Sequence, residues 1–337
     1  MKLSITNYKT FRWMLLGLFP LLAVSCKKDE IRSKELMVFL QPDLPGIPTQ
    51  TQQLDLTHTP IEVRGEKNTQ VHAYTSRELD YAIDLTIQPA PDMLASYNAL
   101  RGQNNAILPA GSYQITSGEK YSIAKGERVS QPIQIQITSP EMLTNPDGYV
   151  LPLAITKVES KDKGVVISNT HKAVYVRISY AYTNVESTQA VPTGTFAVRT
   201  AWNVTVSNIT NGNPATNLID GNNSTVWRSS NSAGAEKWIQ VDMGAATTMK
   251  GMRMSPSYSS TNDNATKLTV RTSNDGTTWT FQGIWNGTTY ATGTNANNPD
   301  YKGIQFIAPV TARYFRLEYN AWPSGNRVGM AELNVVE

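Results

Sequence analysis

The sequence predicts an all-β chain built of two β-sandwich domains in tandem behind a signal peptide. Its 337 residues are too many for one ordinary sandwich and suit two, at roughly 100 to 200 residues per domain. Apolar residues recur with period two between Pro- and Gly-bearing turns, the pattern of strands with one buried face. Only 17% of residues are charged while 40% are apolar, and Asn, Thr, Ser and Gln are abundant. That mixture favours short strands and polar loops over amphipathic helices.

Residues 1–25 read as a signal peptide. Lys2, Lys9 and Arg12 precede an apolar run from Trp13 to Val24, broken only by Gly17 and Pro20. That run is too short to span a bilayer, which takes about 20 apolar residues. The three cations account for the whole net charge of +3, so the rest of the chain carries 27 basic and 27 acidic side chains. A balanced surface gives no electrostatic footing for nucleic acid or for an anionic membrane patch. Cys26 is the sole cysteine, which excludes an internal disulfide and a thiolate metal cluster.

Leu22-Ala23-Val24-Ser25-Cys26 resembles a bacterial lipobox, which implies that cleavage leaves Cys26 as an acylated N-terminus. The following Lys27-Lys28-Asp29-Glu30 resembles the lipoprotein export signal of Bacteroidetes. Residues 26–35 are therefore expected to form the anchor and export signal. The implied location is the outer membrane, held by the lipid alone and facing the cell exterior.

From residue 36 to residue 182 the alternation is clear. Ile133, Ile135 and Ile137 alternate with Gln134 and Gln136, and Val174, Val176 and Ile178 alternate with Tyr175 and Arg177. Leu108-Pro109-Ala110-Gly111 and Asn145-Pro146-Asp147-Gly148 supply turn chemistry between strands. An immunoglobulin-like sandwich follows. One short helix is expected around Pro91 to Leu100, with Met93, Leu94, Tyr97 and Leu100 on one face and Gly102 as its stop. Tyr97-Asn98, Leu108 through Tyr113, Ala124-Lys125-Gly126 and Tyr149 through Leu153 together resemble an N-terminal domain of unknown function, number 1735, found in Bacteroidetes lipoproteins. That resemblance implies a scaffold and no chemistry.

Residues 183–194 are polar and end in Pro192-Thr193-Gly194, and are expected to be a linker. Every tryptophan after Trp13 lies beyond it. Residues 195–337 form the second predicted domain. Asp220-Gly221 and Asp275-Gly276 are tight-turn dipeptides, and Trp238 to Met243 alternates as a strand with two distinct faces. A jelly-roll sandwich of about eight strands fits this length.

Five blocks in this domain carry a stronger signal: Ala215 through Trp227, Trp238 through Gly244, Val270 through Trp279, Ala312 through Leu317, and Ala331 through Val335. In this order they resemble the coagulation factor five/eight type C, or discoidin, domain, including carbohydrate-binding module family 32. The resemblance implies a structural Ca²⁺ held by Asp220, Asn223, Thr225 and Glu332. It also implies a carbohydrate site. Trp322, in the loop before the last strand, is the expected stacking residue, with Asn326 nearby. Arg228 follows the signature Trp227, where galactose-binding relatives tend to carry His, and the loop from Ser255 to Asn264 lacks the Arg they place there. Tyr258, Asn262 and Asn264 are the remaining candidates in that loop. Trp227, Trp238 and Trp279 are expected to pack in the core.

Catalytic signatures are missing. His58, His72 and His171 have no second histidine at i+4, and there is no nucleophile elbow, P-loop or dinucleotide fingerprint. The sequence thus predicts a surface lipoprotein that binds a glycan, not an enzyme, working beside other lipoproteins of a glycan-uptake system. A protein-adhesion or scaffold role is the alternative from a different class.

Overall fold

In a computed structural model the chain is described over residues 35–42, 50–161, 164–232, 234–258, 260–291, 293–323 and 326–337. The signal peptide, Cys26 and the export signal lie outside the described residues. From Leu36 to Glu337 the chain is one compact unit with two separate hydrophobic cores.

Among the described residues, twelve strands surround the first core. They are β1 (Leu36–Pro42), β2 (Thr51–His58), β3 (Val63–Arg64), β4 (Asn68–Thr75), β5 (Ile83–Pro89) and β6 (Ala106–Ile107). The other six are β7 (Tyr113–Ile115), β8 (Lys120–Ile123), β9 (Ile133–Ile137), β10 (Tyr149–Glu159), β11 (Val165–Ile167) and β12 (Ala173–Tyr182). One sheet runs β11-β1-β4-β9-β7; the facing sheet runs β3-β2-β12-β10-β5-β8, with β6 on β10. The period-two alternation is realised: Ile133, Ile135 and Ile137 are buried and the intervening glutamines exposed. Three pairings, β1 with β11, β12 with β2 and β10 with β6, are parallel.

The expected helix forms as a 3₁₀ turn (Pro91–Met93) running into α1 (Leu94–Arg101). Gly102 ends it in the left-handed conformation, φ 59°, where a side chain is disfavoured. Its apolar face is narrower than the sequence predicts. Tyr97 alone is buried, its ring tilted against Tyr175 with centroids 4.5 Å apart, and Leu100 stands 81% exposed.

The second core is enclosed by β13 (Asn203–Val206), β14 (Trp227–Arg228), β15 (Trp238–Ser255), β16 (Lys267–Ser273), β17 (Thr280–Asn286), β18 (Lys302–Ala321), β19 (Gly329–Met330) and β20 (Glu332–Val336). Its main sheet runs β13-β15-β18-β16-β17 with β20 also on β15, and β14 pairs with β19. β15 and β18 are long enough to serve both faces of the sandwich. Their pairing shifts register between Asp242 and Thr247 and again between Met249 and Gly251, and such irregularities let a strand bend around a core. Trp227 and Trp285 are fully buried, whereas Trp238 is half-buried beneath the guanidinium of Arg316.

The segment 183–194, expected as a linker, does connect the two sandwiches, as a strap laid on the second one. Asn184 is 2% exposed; its amide donates to Gln282 Oε1 and the Ala308 carbonyl at 3.0 Å each and accepts the Ala308 N–H at 2.9 Å. Val185 bridges to Phe306, and the Gly303 N–H donates to the Gln189 carbonyl at 2.8 Å. Asn184 satisfies buried backbone groups instead of facing water, while Ser187, Thr188 and Thr193 are exposed. Where the strap leaves the first sandwich, the Thr183 N–H donates to the His58 carbonyl and Arg64 pairs with Glu186 at 3.4 Å.

Candidate functional site

The loops at one end of the second sandwich enclose a pocket of about 290 Å³. One wall is the segment after β15, with Tyr258, Thr261, Asn262, Asn264 and Thr266; the other is Thr288 through Ala291 with Gly293 and Thr294, and Pro323 closes one side. The volume sits at the small end of ligand pockets, roughly 300–1,000 Å³.

A buried amide shapes the first wall. Asn264, 2% exposed, accepts the Ser257 N–H at 2.7 Å and donates to the carbonyls of Ser257 and Thr261 at 3.1 Å each, pinning the 3₁₀ turn Thr261–Asp263. Behind that turn Arg228 Nε meets Asp263 Oδ2 at 2.9 Å, both side chains largely out of solvent. A charge pair so enclosed must stay matched, since an unpaired buried charge is costly. The second wall is tied to the first by Tyr258, whose hydroxyl accepts the Asp300 N–H at 2.8 Å. Asp300 accepts the Ala291 N–H at 2.8 Å and pairs with Lys302 at 3.0 Å. Burial opposes the charge on Asp300, and these donors outweigh it and hold the carboxyl below its ordinary range. Burial pushes the Tyr290 phenol well above its ordinary range, so it stays a neutral hydroxyl. Below it Tyr319 is buried, its own titration displaced upward by burial, and its hydroxyl has no hydrogen-bond partner among the described residues.

The structure thus gathers Tyr258, Asn262 and Asn264 and leaves the other sequence candidates outside the lining. Asn264 shapes the wall, while Asn262 is exposed at the rim. Arg228 is engaged by Asp263. Trp322 is half-buried against the core, edge-on to Tyr319 with centroids 6.5 Å apart, and lies outside the pocket lining. Asn326 is exposed and is not part of the lining. Sequence reasoning passed over the wall from Thr288 to Thr294, where only Thr and Gly richness marks a loop.

The four residues expected to hold Ca²⁺ lie near one another but do not fit it. Asp220 accepts the Asn222 N–H at 2.8 Å and the Thr225 hydroxyl at 2.7 Å. Asn223 turns its amide to the Tyr301 hydroxyl, 3.1 Å away. Glu332 Oε1 accepts the N–H groups of Gly221 and Asn222 at 2.5 and 3.2 Å, and Oε2 accepts Arg199 Nη1 at 2.6 Å. Burial pushes the Glu332 carboxyl up, the Arg199 guanidinium and the Gly221 N–H pull it back, and the Asp220 carboxyl beside it pushes it up again. Calcium takes about six to eight oxygen ligands. Here one carboxylate already faces two backbone N–H donors and a guanidinium, and a dication would sit against that guanidinium.

Residues 203–333 match the family model of the F5/8 type C domain, and residues 34–162 match a second model, for an N-terminal domain. No curated protein matches the chain. Among solved structures, a two-domain protein of unknown function from Bacteroides fragilis is similar over 91% of this chain and 96% of its own, with 15% identity and a TM-score of 0.54. A family 32 carbohydrate-binding module of Clostridium perfringens, solved with GalNAc-β-1,3-galactose, is 20% identical over 42% of this chain and 100% of its own, TM-score 0.37. The family 32 module of Clostridium perfringens NanJ, solved with galactose, is 24% identical over 42% and 98%, TM-score 0.36. The chain is a two-domain β protein whose second sandwich matches, over residues 203–333, the F5/8 type C, or discoidin, domain.

Proposed function

We propose that the second sandwich binds carbohydrate in the pocket between Tyr258 and Tyr290, and that the chain captures glycans at the cell surface without catalysis. The observation that carries this reading is the lining itself, in which hydroxyls and amides of Thr261, Asn262, Thr266 and Thr288 surround two tyrosines at the loop end of a discoidin domain. A pyranose offers an apolar C–H face and a ring of hydroxyls, which suits aromatic edges beside neutral donors and acceptors. Among the described residues no carboxylate lines the pocket, and Asp263 and Asp300 on adjoining segments are held by Arg228 and Lys302. Glycoside hydrolysis through two facing carboxylates has no support there. The pocket is small, so affinity per site is low and many copies on one cell supply avidity. Acylation at Cys26 would display those copies on the outer membrane, next to partner lipoproteins of an uptake system.

The test is a glycan array probed with the full chain and with Asn262→Ala. Binding to a defined sugar class that Asn262→Ala weakens supports the reading. Retention of no glycan by a folded chain overturns it and favours protein adhesion.

A further inference from the structure

We propose that Arg199 does in this domain what a structural divalent cation would do, so that the tie between the Asp220-Gly221 loop and β20 is made without metal. The tie has a definite geometry. Arg199 precedes β13, and its Nη1 lies 2.6 Å from Glu332 Oε2 and donates to the Leu333 carbonyl at 3.2 Å. Glu332 is buried, its side chain 4% exposed and that of Arg199 21% exposed. The other oxygen of the same carboxylate receives the Gly221 and Asn222 N–H groups. One carboxylate thus joins three segments: the entry to the domain, the Asp-Gly loop and the last strand.

Charge and valence close the site. A buried carboxylate requires a cationic partner, and the guanidinium supplies it with permanent charge and directed N–H groups. The loop's oxygens already have partners, since Asp220 holds the Thr225 hydroxyl and the Asn222 N–H and meets the Glu332 carboxyl, and Asn223 faces Tyr301. Among the described residues no group of three or more His, Cys, Asp or Glu side chains is placed to hold a metal. A Ca²⁺ entering here would have to displace Arg199 from Glu332 or bind beside it against its charge.

The experiment is thermal unfolding of the full chain in calcium and in chelator, together with Arg199→Met. An ion bound at a hundred times its dissociation constant would raise Tm by about 5–10 °C. The proposal expects no difference between calcium and chelator for the wild type, and a Tm lower by about 5–10 °C for Arg199→Met. Stabilisation of the wild type by calcium overturns it, as does an Arg199→Met variant as stable as the wild type. Should Arg199→Met not fold, the double variant Arg199→Met/Glu332→Gln decides. Removing both charges restores folding if the pair is the tie, and failure to restore it overturns the assignment.

Discussion

Gln189 accepts both the backbone N–H and the hydroxyl of Thr288 on its side-chain oxygen, at 3.0 Å each. Gln189 belongs to the strap between the sandwiches and Thr288 to the pocket wall, so the connection between domains also supports the site. Gln189→Ala removes both bonds without touching the lining. We expect roughly fivefold weaker glycan binding, from about 1 kcal/mol of lost wall support, with a small change in Tm. Titration calorimetry beside a melting curve reads both.

Two asparagines two positions apart in sequence separate binding from folding. Asn262 is exposed at the rim and Asn264 is buried with three hydrogen bonds. Asn262→Ala should weaken glycan binding about tenfold and leave Tm unchanged. Asn264→Ala should destabilise the domain by about 1–3 kcal/mol, because the Ser257 N–H and two carbonyls lose their partner. Chemical denaturation of the two variants distinguishes them.

The strap needs a glycine beneath it. A Cβ on Gly303 would lie 2.0 Å from the Ala190 carbonyl oxygen, whereas one on Gly111 would meet nothing within 4 Å. Gly303→Ala should therefore lower Tm and open residues 184–191 to protease, and Gly111→Ala should do neither. Limited proteolysis followed by mass spectrometry checks this.

Acid stability should follow Asp242. Arg313 holds it in a two-pronged pair, Nε to Oδ1 and Nη2 to Oδ2 at 2.8 Å each, and lowers its pKa from 3.8 to about 2. A carboxyl whose pKa is depressed by folding stabilises the fold above its unfolded value, and that contribution disappears as pH falls through the folded value. Stability should drop between about pH 4 and pH 2. The pair is partly exposed, so solvent screening makes the effect modest. Asp242→Asn should be less stable than the wild type at neutral pH and lose less across that window.

Period-two runs such as Ile133 to Ile137 make strands legible because one buried face forces alternation, and Asp220-Gly221 and Asp275-Gly276 mark turns by their chemistry. Parallel pairing of β2 with β12 is not legible, since alternation is the same in either direction. The strap escaped because Asn184 reads as a surface residue until the groups it satisfies are seen. The site was half legible. Tyr258 and Asn262 follow from the loop's place in the motif order, but the opposite wall is set by long-range contacts such as Tyr258 to Asp300, which leave no local pattern. Arg199 lies far in sequence from Glu332, and only the fold brings them together.

The most direct measurement is a crystal structure of the chain soaked with the sugar class selected on the array. The account predicts a ring seated between Tyr258 and Tyr290 with a hydroxyl on Asn262. Sugar bound elsewhere on the domain, or on the first sandwich, would contradict it.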